Sequence, residues 1–215
     1  ELAIEDSAAP IHNRHGVVIG AVIVFHDARF SRETTARMEH LAQHDALTGL
    51  HNRNAFFERF EQSLALARRH DNQMGLLFID LDNFKSINDF LSHDTGDRIL
   101  AAVAERLKAS VRDADTVCRF GGDEFVVLLA EITQPDHAYA VADKIREAAA
   151  EPMVVGGRDV SMQLSIGVSV YPDDGVNADE LLKKADSAMY RVKILNRQSV
   201  SKSLIPTHER RKPPT

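Results

Sequence analysis

Seven residues, Arg119 to Phe125 (Arg-Phe-Gly-Gly-Asp-Glu-Phe), set two adjacent carboxylates behind a glycine pair and between two apolar, β-prone runs. The pattern predicts a hairpin with an acidic tip: Val117 to Phe120 enters, Phe125 to Leu129 leaves, and Gly121-Gly122 supplies the positive φ of a two-residue turn. Glycine also lets a ligand approach the main chain closely. Asp123 and Glu124 are hard oxygen donors of the kind Mg²⁺ takes when it is shared with substrate phosphates. Two further acids, Asp80 and Asp82, end the apolar run from Gly75. Such a run predicts a strand buried on both faces, with the acids at its carboxyl end. Neighbouring central strands would bring Asp80, Asp123 and Glu124 together, and crowded carboxylates repel each other unless a cation neutralises them. The expected occupant is a divalent metal, two ions being able to polarise a phosphoryl oxygen and to stabilise both attacking and leaving oxygens of an in-line displacement. Lys85, Lys193 and Arg197 offer positive charge for phosphates, the last two four apart on one helix face.

The elements that must position these groups follow from periodicity and turn residues. Ile11 to Asp27 reads as strand, turn, strand about Asn13-Arg14-His15-Gly16. Arg29 to His44 lacks glycine and proline and carries a narrow stripe of Met38, Leu41 and Ala42, which predicts a linker helix able to pair with its copy. A loop, Asp45 to Arg53, leads into a helix through about Arg69 with Phe56, Phe57, Phe60 and Leu64 on one apolar face. Asn83 to His93 predicts a short helical turn, and Thr95-Gly96-Asp97 opens a helix buried through Ile99, Leu100, Val103 and Leu107. Beyond the hairpin come a helix over Pro135 to Ala149 with Val141 and Ile145 inward, a strand region over Val160 to Val170, and a turn at Pro172 to Gly175. The last helix runs from Ala178 to about Leu195, with a polar tail from Gln198. Strands alternate with helices, yet two are joined by a tight hairpin. The expected architecture is an α+β two-layer sandwich with a mixed central β-sheet flanked by helices.

A length of 215 residues suits one well-buried domain plus an appendage, and a formal net charge of −6 leaves no broad attraction for a nucleic acid polymer. A small nucleotide, met by local cations or a metal, is the expected ligand. The longest apolar run, Gly16 to Phe25, is too short to span a bilayer. The single cysteine, Cys118, forms no internal disulfide and suits a reducing cytoplasm. The first residue is Glu1 and no signal peptide is visible, so the expectation is a cytoplasmic piece of a longer protein, whose remainder is free to be membrane-anchored.

From about Asp45 to Arg197 the chain closely resembles the GGDEF family of diguanylate cyclases. The resemblance rests on motifs in order: Asp-Ala-Leu-Thr-Gly-Leu-His-Asn-Arg at Asp45, Asp-Leu-Asp-Asn-Phe-Lys-Ser-Ile-Asn-Asp at Asp80, Gly96-Asp97, Arg119 to Phe125, Ser165-Ile-Gly-Val, and Ala185-Asp-Ser-Ala-Met-Tyr190. It implies a nucleotidyl-cyclase fold like a polymerase palm, and condensation of two GTP to cyclic di-GMP and two pyrophosphates by a homodimer. Each 3′-hydroxyl would attack the α-phosphate held by the other protomer. The family's roles, carried over by position, give Asp80, the Leu81 carbonyl, Asp123 and Glu124 to Mg²⁺ or Mn²⁺, two ions per site, with Asp123 as general base. Asn88 and Asp97 would read the guanine edge, which excludes adenine by leaving buried groups unpaired. Gly121 and Gly122 would admit the phosphates, and Lys85, Lys193 and Arg197 would hold the β and γ groups.

Arg112-Asp113-Ala114-Asp115 matches, at the family's position before Gly-Gly, the Arg-x-x-Asp pattern at which cyclic di-GMP binds and inhibits. Arginine's planar fork suits phosphate or a guanine edge. Three positions depart from the family: Ser92 where glycine is usual, Val192 for alanine, and Asn196 for glycine. Ser92 endangers a backbone needing positive φ, whereas Asn196 can adopt the left-handed conformation in glycine's stead. The expected layout is 1–28 the end of a PAS sensor domain, 29–44 a linker helix, 45–197 the cyclase domain and 198–215 a tail. A binding module that regulates a neighbouring phosphodiesterase without turnover is the second reading. A palm-like enzyme for another nucleotide is the third.

Overall fold

The computed structural model describes residues 4–27, 41–155 and 157–203. Two compact units divide the chain, Glu1–Ala42 and Gln43–Thr215. In the first, β1 (Ile4–His12) and β2 (Val18–Asp27) form an antiparallel hairpin, with a first strand longer than periodicity predicts. Asn13 closes its turn: the side-chain oxygen accepts from the amides of His15 at 2.9 Å and Val17 at 3.0 Å. Of the expected linker helix, residues 29–40 lie outside the described residues, and 41–43 are helical.

In the second unit, α1 (Arg53–His70) starts where the Asn52 side chain accepts from the Ala55 amide. Then follow β3 (Gln73–Leu81), α2 (Phe84–Leu91), α3 (His93–Ser110), β4 (Thr116–Gly121), β5 (Glu124–Ile132) and α4 (Asp136–Ala150). A small hairpin of β6 (Met153–Val155) and β7 (Arg158–Val160) precedes β8 (Leu164–Tyr171) and α5 (Ala178–Ser203). Residues Asn83 to His93 thus hold a full helix rather than a turn. The expected strand over Val160 to Val170 is broken at 161–163, and α5 continues past Leu195 through the start of the expected tail.

The sheet order is β4-β5-β3-β8, and all three ladders are antiparallel. Two helical crossovers explain this. Strands β3 and β4 run the same way, joined through α2 and α3, but β5 lies between them. Likewise β5 and β8 run the same way, joined through α4, with β3 between them. The parallel component expected of a mixed sheet is confined, among the described residues, to a single bridge of His51 to Cys118.

The α+β, palm-like sandwich is as expected, and helices cover both faces of the sheet, a layer more than anticipated. The cause is the side-chain alternation of β3 and β5. Leu77, Ile79, Phe125 and Val127 face α3 and α4 with Ile99, Val103 and Ile145. On the other face, Leu76, Phe78, Val126 and Leu128 meet α1 and α5 through Phe56, Phe60, Leu181 and Ala185. Gly167 on β8 lets α5 come close: a Cβ there would lie 2.0 Å from the Ala185 carbonyl oxygen.

Candidate active site

The tip between β4 and β5 carries the acids. Pairing passes from Arg119 opposite Phe125 to Gly121 opposite Glu124, so a bulge leaves Gly122 and Asp123 as the turn. Gly122 has φ +51°, whereas Gly121 is not among the residues of positive φ, so one glycine rather than both supplies the turn's conformation. A Cβ on either would meet nothing within 4 Å, which leaves the main chain open to a ligand. Behind the tip, Arg119 donates from Nη1 to both oxygens of Asp45, at 3.0 and 3.2 Å. Its Nε and Nη2 donate to the Gly122 carbonyl at 3.1 and 2.9 Å.

Asp80 and Glu124 sit opposite each other across β3 and β5, and the Leu81 amide donates to the Asp123 carbonyl at 3.3 Å. Asp80 is only 6% exposed, and the Lys193 ammonium donates to its Oδ1 at 2.5 Å. Burial pushes the Asp80 pKa above the ordinary value; Lys193 opposes the rise, and Asp123 and Asp82 add to it. Glu124 is raised in the same way, by burial first and then by Asp80, Asp123 and Asp186. Among the described residues no group of three or more His, Cys, Asp or Glu side chains is gathered about one point as a metal cage. The backbone sets Asp80 opposite Glu124 with Asp123 beside them, without gathering the three side chains into such a cage, and the Lys193 ammonium stands at Asp80. This donor set suits a hard cation: two or three carboxylate groups, mutually repelled, beside an open main chain.

A second candidate wall is made by α2 and α3. Asn88 and Gly96 are in contact, since a Cβ on Gly96 would fall 2.3 Å from Asn88 Oδ1. That oxygen is buried and without a hydrogen-bond partner among the described residues, and Asp97, exposed, is next in the chain. The hinge between the helices is Ser92, whose φ is +144°. The position does require a glycine-like conformation, and serine occupies it while its hydroxyl accepts from the Thr95 amide to cap α3. Lys85 on α2 is exposed. Arg197 lies in α5, and its side chain is outside those described.

Sequence reasoning missed what Asp82 does. Its side chain is 8% exposed, Oδ1 accepts from the Ser165 hydroxyl at 2.7 Å, and Oδ2 accepts from Asn196 Nδ2 at 3.1 Å. Asn196 is within α5 and not left-handed, contrary to the glycine-like role expected of it; its amide is used instead as a donor. The signal was present in the motifs around Asp80 and Ser165, but the pairing spans three elements.

Arg112 and Asp115 follow α3. One Asp115 oxygen accepts from the Arg112 amide at 3.0 Å and the other from the Ala130 amide at 3.3 Å, so the carboxylate fixes the loop. The pair lies between two clefts. One, of about 280 Å³, is lined also by Glu131, His137 and Lys144, and the other, of about 190 Å³, by His44, His51 and Lys108.

An acidic hairpin at the end of a palm-like antiparallel sheet, with a lysine helix crossing behind it, defines a class of nucleotide-handling domains. The family described as diguanylate cyclase, GGDEF domain, matches residues 42–199, and the chain belongs to it. It is 43% identical over 164 residues to the cyclic di-GMP phosphodiesterase NbdA of Pseudomonas aeruginosa, covering 76% of this chain and 21% of that protein. Identity is also 43% to the diguanylate cyclase TpbB of that species, over 75% of this chain and 38% of the other. The solved GGDEF domain of TpbB superposes with a TM-score of 0.69 at 42% identity, covering 71% of this chain and 89% of that one. The chain thus spans well under half the length of these curated relatives. Among the described residues no helix is long and apolar enough to cross a membrane.

Proposed function

We propose that this domain is a diguanylate cyclase that condenses two GTP into cyclic di-GMP and two pyrophosphates as a homodimer, in the cytoplasm where GTP is available. The observation that carries the reading is Asp80 opposite Glu124, with Leu81 bonded to Asp123, beside a glycine tip open to a ligand. Asp80, the Leu81 carbonyl, Asp123 and Glu124 would hold Mg²⁺ or Mn²⁺, which supplies Lewis-acid polarisation and charge neutralisation at the phosphoryl group. Asp123 accepts the proton of the 3′-hydroxyl as that oxygen bonds to the α-phosphorus bound to the partner protomer, and pyrophosphate departs. Lys85, Lys193 and Arg197 hold the β- and γ-phosphates. Asn88, whose buried oxygen lacks a hydrogen-bond partner among the described residues, and Asp97 bind guanine. Arg112 and Asp115, between their two clefts, bind the cyclic product and inhibit turnover. In this reading residues 45–197 form the cyclase domain and 29–44 lead into it.

A second reading, binding and regulation without turnover, is favoured by the strained Ser92 beside the proposed guanine wall and by the 43% identity to a phosphodiesterase. The deciding experiment is incubation of the chain with GTP and Mg²⁺ at high protein concentration, with nucleotides resolved by chromatography and Asp123→Ala as control. Cyclic di-GMP from wild type alone establishes the cyclase. Binding of GTP or cyclic di-GMP by calorimetry without product selects the regulatory reading.

A further inference from the structure

Helix α5 meets the end of β3 at two points. Lys193 donates to Asp80, and one turn further on Asn196 donates from Nδ2 to Asp82 Oδ2 at 3.1 Å and to Ser165 Oγ at 3.4 Å. The spacing allows both at once: side chains three apart share a helix face, and residues two apart share a strand face.

The two links fare differently during the reaction proposed above, on which this inference rests. Asp80 is needed by the metal and Lys193 by the phosphates, so their ion pair opens when nucleotide and metal arrive. Asp82 has no such duty. Both its oxygens are occupied, by Ser165 and Asn196, and its amide donates to the Gln163 carbonyl at 2.9 Å. That second link survives.

We propose that Asn196 is a positioning residue: it anchors α5 to β3 and β8 through Asp82 and Ser165, so that Lys193, once released from Asp80, stays within reach of the β- and γ-phosphates. The residue type fits. Glycine, usual here in the family, offers no side chain, and an aspartate would repel Asp82. Asparagine gives a donor to a buried carboxylate, the stronger class of hydrogen bond.

The test separates the phosphate end of the ligand from the guanosine end. Calorimetry with Mg²⁺ present compares the α,β-methylene analogue of GTP, which cannot release pyrophosphate, with GMP, which lacks the groups Lys193 holds. Asn196→Gly and the helix-compatible Asn196→Ala are expected to weaken the triphosphate on the order of tenfold while GMP changes less than about twofold. Asn196→Asp has the same effect, and combining it with Asp82→Asn, which reverses donor and acceptor, restores most of the affinity. Equal loss for both ligands reveals a merely structural residue, and unchanged triphosphate affinity, or a swap that recovers nothing, overturns the anchor. A wild-type chain that binds GMP as tightly as the triphosphate instead removes the phosphate role of Lys193, and with it the reading beneath.

Discussion

Arg119 grips Asp45 and the Gly122 carbonyl at once, so one guanidinium joins the loop before α1 to the tip that carries Asp123. Both side chains are largely buried, at 15% and 24% exposure. Hydrogen bonds to charged groups in such settings contribute about 1.5–3 kcal/mol. Arg119→Ala is expected to lower unfolding free energy by about 2 kcal/mol in urea titration, and to abolish most cyclase activity by loosening the tip. Arg119→Lys keeps the charge but cannot fork to two acceptors, so it recovers less than half of that loss. Full recovery would show that geometry is irrelevant here.

Asp45 gives the same contact a pH dependence. Burial alone would raise its pKa, but hydrogen bonds from the Thr48 hydroxyl and amide, with Arg119, hold it below the ordinary 3.8. A depressed folded value means that the stabilisation is complete above 3.8 and is lost as pH falls through the lowered pKa. Urea midpoints measured across that acid range should fall less steeply in Asp45→Asn than in wild type. Parallel curves would remove Asp45 from acid unfolding.

Glu124 has the opposite sign. Its folded pKa is raised above 4.5, chiefly by burial and then by neighbouring acids, so the ionised form is unfavourable at neutral pH and the penalty disappears below 4.5. Glu124→Gln is therefore expected to melt higher than wild type near neutrality, with an advantage that fades on acidification, while cyclic di-GMP formation is lost. A lower melting temperature at neutral pH would contradict this trade of stability for the metal-binding role proposed for Glu124.

Two glycines separate packing from function. Gly167→Ala drives a Cβ into the backbone of Ala185 and Met189, which cannot move without shifting α5; a loss of about 3 kcal/mol or failure to fold is expected. Gly96→Ala meets a side chain instead, Asn88 Oδ1 at 2.3 Å, and is expected to rotate it out of the proposed guanine wall. The KM for GTP should rise at least about tenfold with the melting temperature little changed. Equal destabilisation in the two variants would refute the distinction.

Ser92→Gly weighs strain against capping. Relief of a non-glycine residue at φ +144° is worth about 1–3 kcal/mol, whereas replacing a serine cap by glycine costs only a few tenths. Strain prevails, so the variant is expected to gain about 1 kcal/mol in urea titration. A loss would mean that the hydroxyl contact with Thr95 dominates.

The acidic tip, β3 with its terminal acids, and the helices were legible because short apolar runs, turn residues and 3.6-residue stripes are local signals. Tertiary accommodation was not. Gly121 and Gly122 share a motif, but the bulge after Arg119 decides which takes positive φ. Asn196 suggested a left-handed residue by type, yet α5 runs on through it to Ser203 and its side chain donates to Asp82. Layer count was missed because an apolar strand such as β3 states that both faces are covered without stating by what. The short pairing of Val155 with Arg158 carried too few residues for any periodicity.

The insertion of β5 between β3 and β4 also orders events in time. Asp80 leaves the ribosome well before Glu124, and two helices and a strand are synthesised before the strand that pairs with β3 exists. Pairings so distant along the chain form late and slowly. A nascent chain therefore holds isolated acids and no assembled pocket until β5 has docked, and it lacks Lys193 until α5 closes over β8. On the proposed function, nucleotide binding is then a late milestone of biogenesis, withheld from chains that end before β5 or α5.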